Sequence, residues 1–274
     1  MAVIPTDKRL LIEQLVEDRM VEQDMRPYLG ISSIGHPCLR HLWYNFRLCA
    51  IEQINARKAR LFSRGHREEP IIVADLARVG VLCHSDQKGC VTGHGHIRGH
   101  IDGILERVPD APKTPHLGEY KTANAKNFKD MVAKGLKASK PVYYAQTQCY
   151  MRLLDLTRTL FIMVCKDDDS RYYERIRLDK ADADYYLERG LAVISSEVPL
   201  DKMPGASATW FECKWCKHYL ICHFDGSINK SCRTCQSCDI CAEGKWECTN
   251  HKIHLTFEQQ LHGCDKYSLL DCLK

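Results

Sequence analysis

The stretch GHIRGHIDGILERVPDAPKTPHLGEYKTAN, residues 95–124, decides the fold. One aspartate, Asp102, stands just before a glycine turn, and a Glu119-Tyr120-Lys121 triplet follows a short polar gap. The flanking residues read as neighbouring strands bounded by glycine turns. Side chains two apart on a strand share a face, so Glu119 and Lys121 point one way and Tyr120 the other. Two acids and a lysine in this pattern fit a surface hairpin with a salt bridge. They also fit a hard divalent cation, which takes carboxylates, a backbone carbonyl and water as ligands. The Tyr120 carbonyl is within reach of such an ion, and a lysine beside it stabilises a negative transition state.

Working outward, residues 81–108 read as two or three strands with glycine turns, and residues 116–123 as a further strand. Upstream, an N-terminal amphipathic helix is capped near Thr6, CLRHLWYNFRLC (38–49) carries its bulky residues on a helical rhythm, and 59–80 reads as a helix ending at Gly80, with Pro70 as a kink or restart. Downstream, helices are expected over 123–136 and 141–156, the second with Pro141 in its first turn, then strands over 157–166 and 171–178 and a helix over 179–198. This order predicts an α/β core, a mixed central sheet flanked by helices.

Apolar content of 45% and charged content of 27% are those of a soluble globular protein. No apolar run approaches the roughly 20 residues that span a bilayer. The first 20 residues lack a signal peptide's apolar core and cleavage site, so a cytoplasmic protein with no membrane partner is expected. A net charge of +4 is too small to argue for nucleic acid by itself. Two local rows matter more: Lys126, Lys129, Lys137 and Lys140 share a face if their helix continues through Gly135, and Arg57, Lys58, Arg60, Arg64 and Arg67 lead into Glu69. Phosphate contact is the natural use of such rows.

The 16 cysteines are unevenly placed. Cys38, Cys49, Cys83, Cys90, Cys149 and Cys165 are scattered, whereas ten crowd into residues 213–274. In a reducing compartment, close CxxC repeats favour metal over disulfides. The expected division is a core at 1–212 and a metal-organised region at 213–274. FECKWCKHYLIC gives Cys213-x2-Cys216-x5-Cys222, three thiolates that want a fourth ligand. Cys38, or in a purely local zinc site His218 or His223, can supply it. The rest of the tail has no room for a sizeable core and needs a metal to fold.

The series Gly65-x3-Glu69, Asp102, Glu119-Tyr120-Lys121 and Gln146-x3-Tyr150 resembles the PD-(D/E)XK nuclease superfamily, and within it the RecB-like branch that includes phage exonucleases. The resemblance spans about residues 30–165, with the motifs in order. Ile101 stands where the motif name has proline, and His66 and Glu68 lie close enough to compete for the place of Glu69. The resemblance implies a restriction-endonuclease-like core in which Glu69, Asp102, Glu119 and the Tyr120 carbonyl hold Mg²⁺ or Mn²⁺. It implies that Lys121 assists the attacking water, and that Gln146 and Tyr150 position the DNA backbone and the active site. It further implies a [4Fe–4S] cluster, or zinc in its place, on Cys38, Cys213, Cys216 and Cys222. The tail, with its CRTC, W-x-C and Q-x-x-GC, is similar to that of phage-type members, which implies zinc on Cys232, Cys235, Cys248 and Cys264. Cys238 and Cys241 are extra; they displace Cys248 and Cys264 or bind a second ion with His251 or His254. Cys49, Cys83, Cys90, Cys149, Cys165 and Cys272 are expected to pack.

The resulting expectation is a metal-dependent deoxyribonuclease, an exonuclease before an endonuclease, acting on DNA in recombination, repair or phage DNA processing, with a recombinase or single-strand annealing protein as a further partner. A catalytically silent DNA-binding scaffold, a restriction-type endonuclease and a zinc-organised adaptor are the alternatives.

Overall fold

The computed structural model describes residues 10–19, 22–23 and 25–274. In chain order come α1 (Leu11–Arg19), β1 (Glu22–Gln23), β2 (Leu29–Gly30), α2 (Leu39–Phe46), β3 (Gln53–Ile54) and α3 (Ala56–Arg78). Then follow β4 (Leu82–His84), β5 (Gly89–Thr92), β6 (Ile97–His100), β7 (Gly103–Glu106) and β8 (His116–Ala123). The helices α4 (Ala125–Ser139) and α5 (Pro141–Leu153) lead into β9 (Arg158–Cys165), β10 (Arg171–Arg177) and α6 (Lys180–Ser195). The cysteine-rich region adds α7 (Phe211–Lys214), α8 (Tyr219–His223), β11 (Cys238–Ile240), β12 (Trp246–Cys248), β13 (Ile253–Leu255) and α9 (Phe257–Gln260). The N-terminal helix expected from the sequence is α1; the cap at Thr6 lies outside the described residues. No described helix is long and apolar enough to cross a membrane.

The central sheet has five strands in the order β10-β9-β8-β7-β4. Its one parallel pair is β8 with β9, in register Glu119↔Phe161 and Lys121↔Met163. A parallel pair needs a long crossover, and α4 and α5 supply it. The rest of the sheet is antiparallel. The mixed sheet flanked by helices is thus the architecture present.

Strand β9 is an almost unbroken apolar run because it is covered on both faces. Phe161 and Met163 join one cluster with Trp43, Phe46, Tyr144 and Tyr150. Leu160, Ile162 and Val164 join the other, with Ile72 and Leu76 of α3 and Tyr120 of β8. The period of two therefore sends Tyr120 to the α3 side and Glu119 and Lys121 to the opposite face.

Helix boundaries follow the local chemistry. Asn55 caps α3 by accepting from the Lys58 amide at 2.9 Å, and Asn124 and Asp179 do the same for α4 and α6. Helix α3 runs through Pro70 as one element. It stops where Gly80 takes φ +82, letting the Gly80 and Val81 amides donate back to Ala77 and Leu76.

Two expectations change. The strands around the opening stretch number four, and they are shared out between sheets. β6 pairs with β5 and β2 in a separate three-stranded sheet, while β7 and β4 belong to the central one. Asp102 sits where the chain leaves one sheet for the other. In addition, Gly135 adopts φ +72 inside α4, so the lysine row is broken there. Lys137 is instead paired with Asp182 at 2.7 Å, and Lys140 donates to Asn127 at 2.7 Å.

Packing is continuous across residue 212. Trp246 meets Phe46 at a tilt and His96 edge-on, and Cys235, Cys238 and Trp246 belong to the same cluster as Trp43. Arg233, fully buried, donates to the carbonyls of Phe46 and Pro27 at 2.9 and 2.7 Å and to Gln260. A buried guanidinium is tolerated only with its donors satisfied, and these bonds join the tail to the chain's N-terminal part.

Candidate active site

The ladder between β7 and β8 begins at Gly103↔Gly118. Beyond it the strands part, and Asp102 fills the gap by accepting the Tyr120 amide at 2.7 Å. The amide and carbonyl of one strand residue face the same neighbour. The Tyr120 carbonyl therefore faces the same gap as Asp102.

Glu119 is fully buried. Its Oε1 accepts from Gln146 Nε2 at 2.8 Å and from the Lys121 ammonium. Its Oε2 has no hydrogen-bond partner, and neither does Gln146 Oε1. Burial pushes the Glu119 carboxyl up to about 7; Lys121 opposes this, while Asp102 and Glu69 add to it. Burial works against the Lys121 ammonium, but Glu119 and Asp102 outweigh it and raise its pKa. The Lys121 Nζ also lies 5.5 Å from the centre of the Tyr143 ring, an aromatic neighbour that the sequence reading passed over.

Glu69 reaches the same region from α3. Its carboxyl is raised by burial and then by Asp102, with His66 opposing from 3.3 Å. Glu69 is thus close enough to Asp102 to feel its charge. His66 stands outside that pair, with most of its side chain in solvent. The structure brings Glu69, Asp102 and Glu119 into one neighbourhood, where the Asp102 charge raises both glutamates. A buried carboxylate oxygen without a donor, beside two further carboxylates, has the chemistry of a cation site. The three are neighbours and not a closed cage: among the described residues, the one trio with all ligand atoms within 4.8 Å lies elsewhere. Mg²⁺ keeps several of its waters and needs only one or two carboxylates, so it does not require a closed cage.

Gln146 and Tyr150 are not surface residues: they are 4% and 1% exposed. Gln146 orients Glu119 from behind. Tyr150 lies beneath β6, where any Cβ at Gly99 would overlap its hydroxyl. Burial raises the Tyr150 phenol, and Glu119 adds to the effect.

Of the basic rows, Arg57, Arg67, Lys126 and Lys129 are exposed. Others are engaged: Arg60 with Glu17, Lys58 with Glu52, and Arg64 with the Lys166 carbonyl.

The cysteines form two sets. Cys38, Cys213, Cys216 and Cys222 line one cavity of about 480 Å³ with His36, His41, His218 and His223. Burial raises the Cys216 and Cys222 thiols, and Cys38 and Cys213 add to this in both. Cys38, distant in sequence, therefore joins the other three in space. His41 Nδ1 is 3.2 Å from Cys216 Sγ, a neighbour that no spacing rule revealed. His218 Nε2 is taken by Asn45 at 3.0 Å. Cys232, Cys235, Cys248 and Cys264 line a second cavity of about 310 Å³. Cys238 lines that cavity too, and His251 lies 3.6 Å from Cys264. Cys241 does not line it. Cys272 is exposed, not packed as expected, because the chain's last turn lies on the surface.

No family model matches the chain, and no curated protein matches it in sequence. Among solved structures, it is similar to an alkaline exonuclease from Laribacter hongkongensis, with 19% identity and a TM-score of 0.46, covering 67% of this chain and 91% of that one. The same exonuclease in complex with dAMP gives 18% identity and a TM-score of 0.45 over the same shares. A phage related exonuclease from Haemophilus somnus 129PT gives 17% identity and a TM-score of 0.36, covering 48% of this chain and 68% of that one.

A cation at the carboxylates must displace the proton that burial holds on Glu119 up to about pH 7. Mn²⁺ affinity should therefore fall about tenfold per pH unit below 7 and level off above it. Calorimetry in buffers of different ionisation enthalpy should find about one proton released per ion near pH 6 and far fewer near pH 8.5. An affinity flat across this range would contradict the assignment.

Proposed function

We propose that this chain is a Mg²⁺- or Mn²⁺-dependent DNA nuclease that hydrolyses phosphodiester bonds. The observation that carries the reading is Glu119: buried, held by Lys121 and Gln146, coupled to Asp102 and Glu69, and left with one carboxylate oxygen unpartnered. A surface hairpin with a salt bridge does not need a buried acid or two further carboxylates against it.

Glu69, Asp102, Glu119 and the Tyr120 carbonyl would hold the divalent ion. When bound, it neutralises charge on the phosphodiester and acidifies water. Lys121 remains protonated under the pull of Glu119 and Asp102, so it acts as a hydrogen-bond donor and fixed positive charge, not as a base. Aimed at the scissile phosphate, it stabilises the charge that develops during in-line attack. Asp102 is kept in place by the Tyr120 amide, and Gln146 holds Glu119. Exposed Arg57, Arg67, Lys126 and Lys129 are available to contact the DNA backbone. The exonuclease form follows the resemblance of Gln146-x3-Tyr150 to that branch.

Structural metals complete the proposal. A [4Fe–4S] cluster on Cys38, Cys213, Cys216 and Cys222 is supported by the four thiols lining one cavity, and it follows the resemblance. Zinc is assigned to Cys232, Cys235, Cys248 and Cys264. Anaerobic purification followed by iron and acid-labile sulfide analysis should find about four of each per chain. Zinc alone at that set would contradict the cluster.

The activity is tested by digesting linear and circular DNA with Mg²⁺ or Mn²⁺. Wild type should degrade linear DNA and spare circles, and Lys121→Ala should lower the rate by about 10²–10³-fold while preserving the fold. Cutting of circles would make it an endonuclease with the same site. A wild-type protein with its metals intact that binds DNA but cuts none would establish the silent scaffold.

A further inference from the structure

The ribbon β11-β12-β13 carries a second set of donors on the face away from Cys238 and Cys248. In its register Asp239, Glu247 and His254 lie in one row across the three strands. The next row, Cys238, Cys248 and Ile253, points to the other face. Cys241 follows β11 directly, and its Sγ lies 3.6 Å from Glu247 Oε2. The Cys241 sulfur, a Glu247 oxygen and a His254 ring nitrogen all lie within 4.8 Å of one another.

The fold itself fixes this thiol. The Cys241 amide donates to the Lys245 carbonyl at 2.9 Å. The Cys241 carbonyl accepts from Nε2 of the fully buried His96 at 2.7 Å. Gly244 turns the chain with φ +72, and a Cβ there would overlap the Gly95 carbonyl. Lys245 is drawn to Glu243, and the row keeps the two acids Asp239 and Glu247.

One thiolate, one imidazole and one carboxylate form a borderline donor set. Mg²⁺ and Ca²⁺ want oxygen alone, and an iron–sulfur cluster wants several thiolates, which leaves zinc as the fitting ion. We propose that Cys241, Glu247 and His254 bind a Zn²⁺ ion separate from the four-cysteine site, with the fourth position left to water or to Asp239. The ion would tie together the turn that docks on Gly95 and His96. That contact precedes β6, the strand that leads to Asp102.

The test counts zinc per chain by mass spectrometry after gel filtration in wild type, His254→Ala, Glu247→Gln and the remote control His84→Ala. His254 and His84 are both exposed, so either change leaves the fold intact, as circular dichroism would verify. Wild type and His84→Ala should carry one more zinc per chain than His254→Ala and Glu247→Gln. Equal zinc in all four would overturn the site. With Co²⁺ in place of zinc, Cys241→Ser should lose part of the thiolate-to-cobalt absorbance, and an undiminished band would also overturn it.

Discussion

The burial of the Glu119 carboxylate is the constraint on which the rest of the site depends. An ionised acid removed from water must be paired or neutralised, and leaving even one buried acceptor unmatched costs roughly 1–3 kcal/mol or more. Two donors answer that demand at Oε1: the Lys121 ammonium and the Gln146 amide. Among the described residues none answers it at Oε2, and Asp102 and Glu69 add repulsion. The protein tolerates the imbalance by raising the carboxyl's pKa. A divalent ion at Oε2 would remove the imbalance, which is the electrostatic ground for the proposed site.

The sheet explains how such an arrangement persists. β9 is buried on both faces and fixes β8 in parallel register, so Glu119 and Lys121 cannot exchange sides without moving the whole strand. β7 parts from β8 beyond Gly118, and the gap admits Asp102. The cysteine-rich region then closes on the body. Arg233 bonds the carbonyls of Phe46, the last residue of α2, and of Pro27, ahead of β2, and Trp246 packs against both Phe46 and His96. The cavity that gathers Cys38 with Cys213, Cys216 and Cys222 brings α2 and the 211–223 segment together at another point.

Much of this was legible in the sequence where the signal is local. The strand His116–Ala123 and the shared face of Glu119 and Lys121 follow from the period of two, whereas the caps at Asn55 and Asn124 place two helix starts away from the expected 59 and 123. What stayed hidden depends on distant partners. That β6 and β7 belong to different sheets is decided by β2, β5 and β8, and no pattern within residues 95–108 carries that information. Gly135 was a visible weak point, but Lys137 turning to Asp182 depends on where α6 lies. Gln146 looks like a polar helix position in one dimension; only the packed α5 shows its amide facing Glu119. The tail's cysteine spacing announced metal, whereas Glu247 joining Cys241 and His254 required the register of three strands.

The central claim is that Glu69, Asp102 and Glu119 hold a divalent ion, and anomalous diffraction from crystals soaked in Mn²⁺ tests it most directly. The account predicts an anomalous peak between the three carboxylates, within bonding distance of Glu119 Oε2 and of the Tyr120 carbonyl, and its loss in Glu119→Gln. A saturating soak that leaves no peak among these residues, with the protein intact and other manganese sites filled, would contradict it.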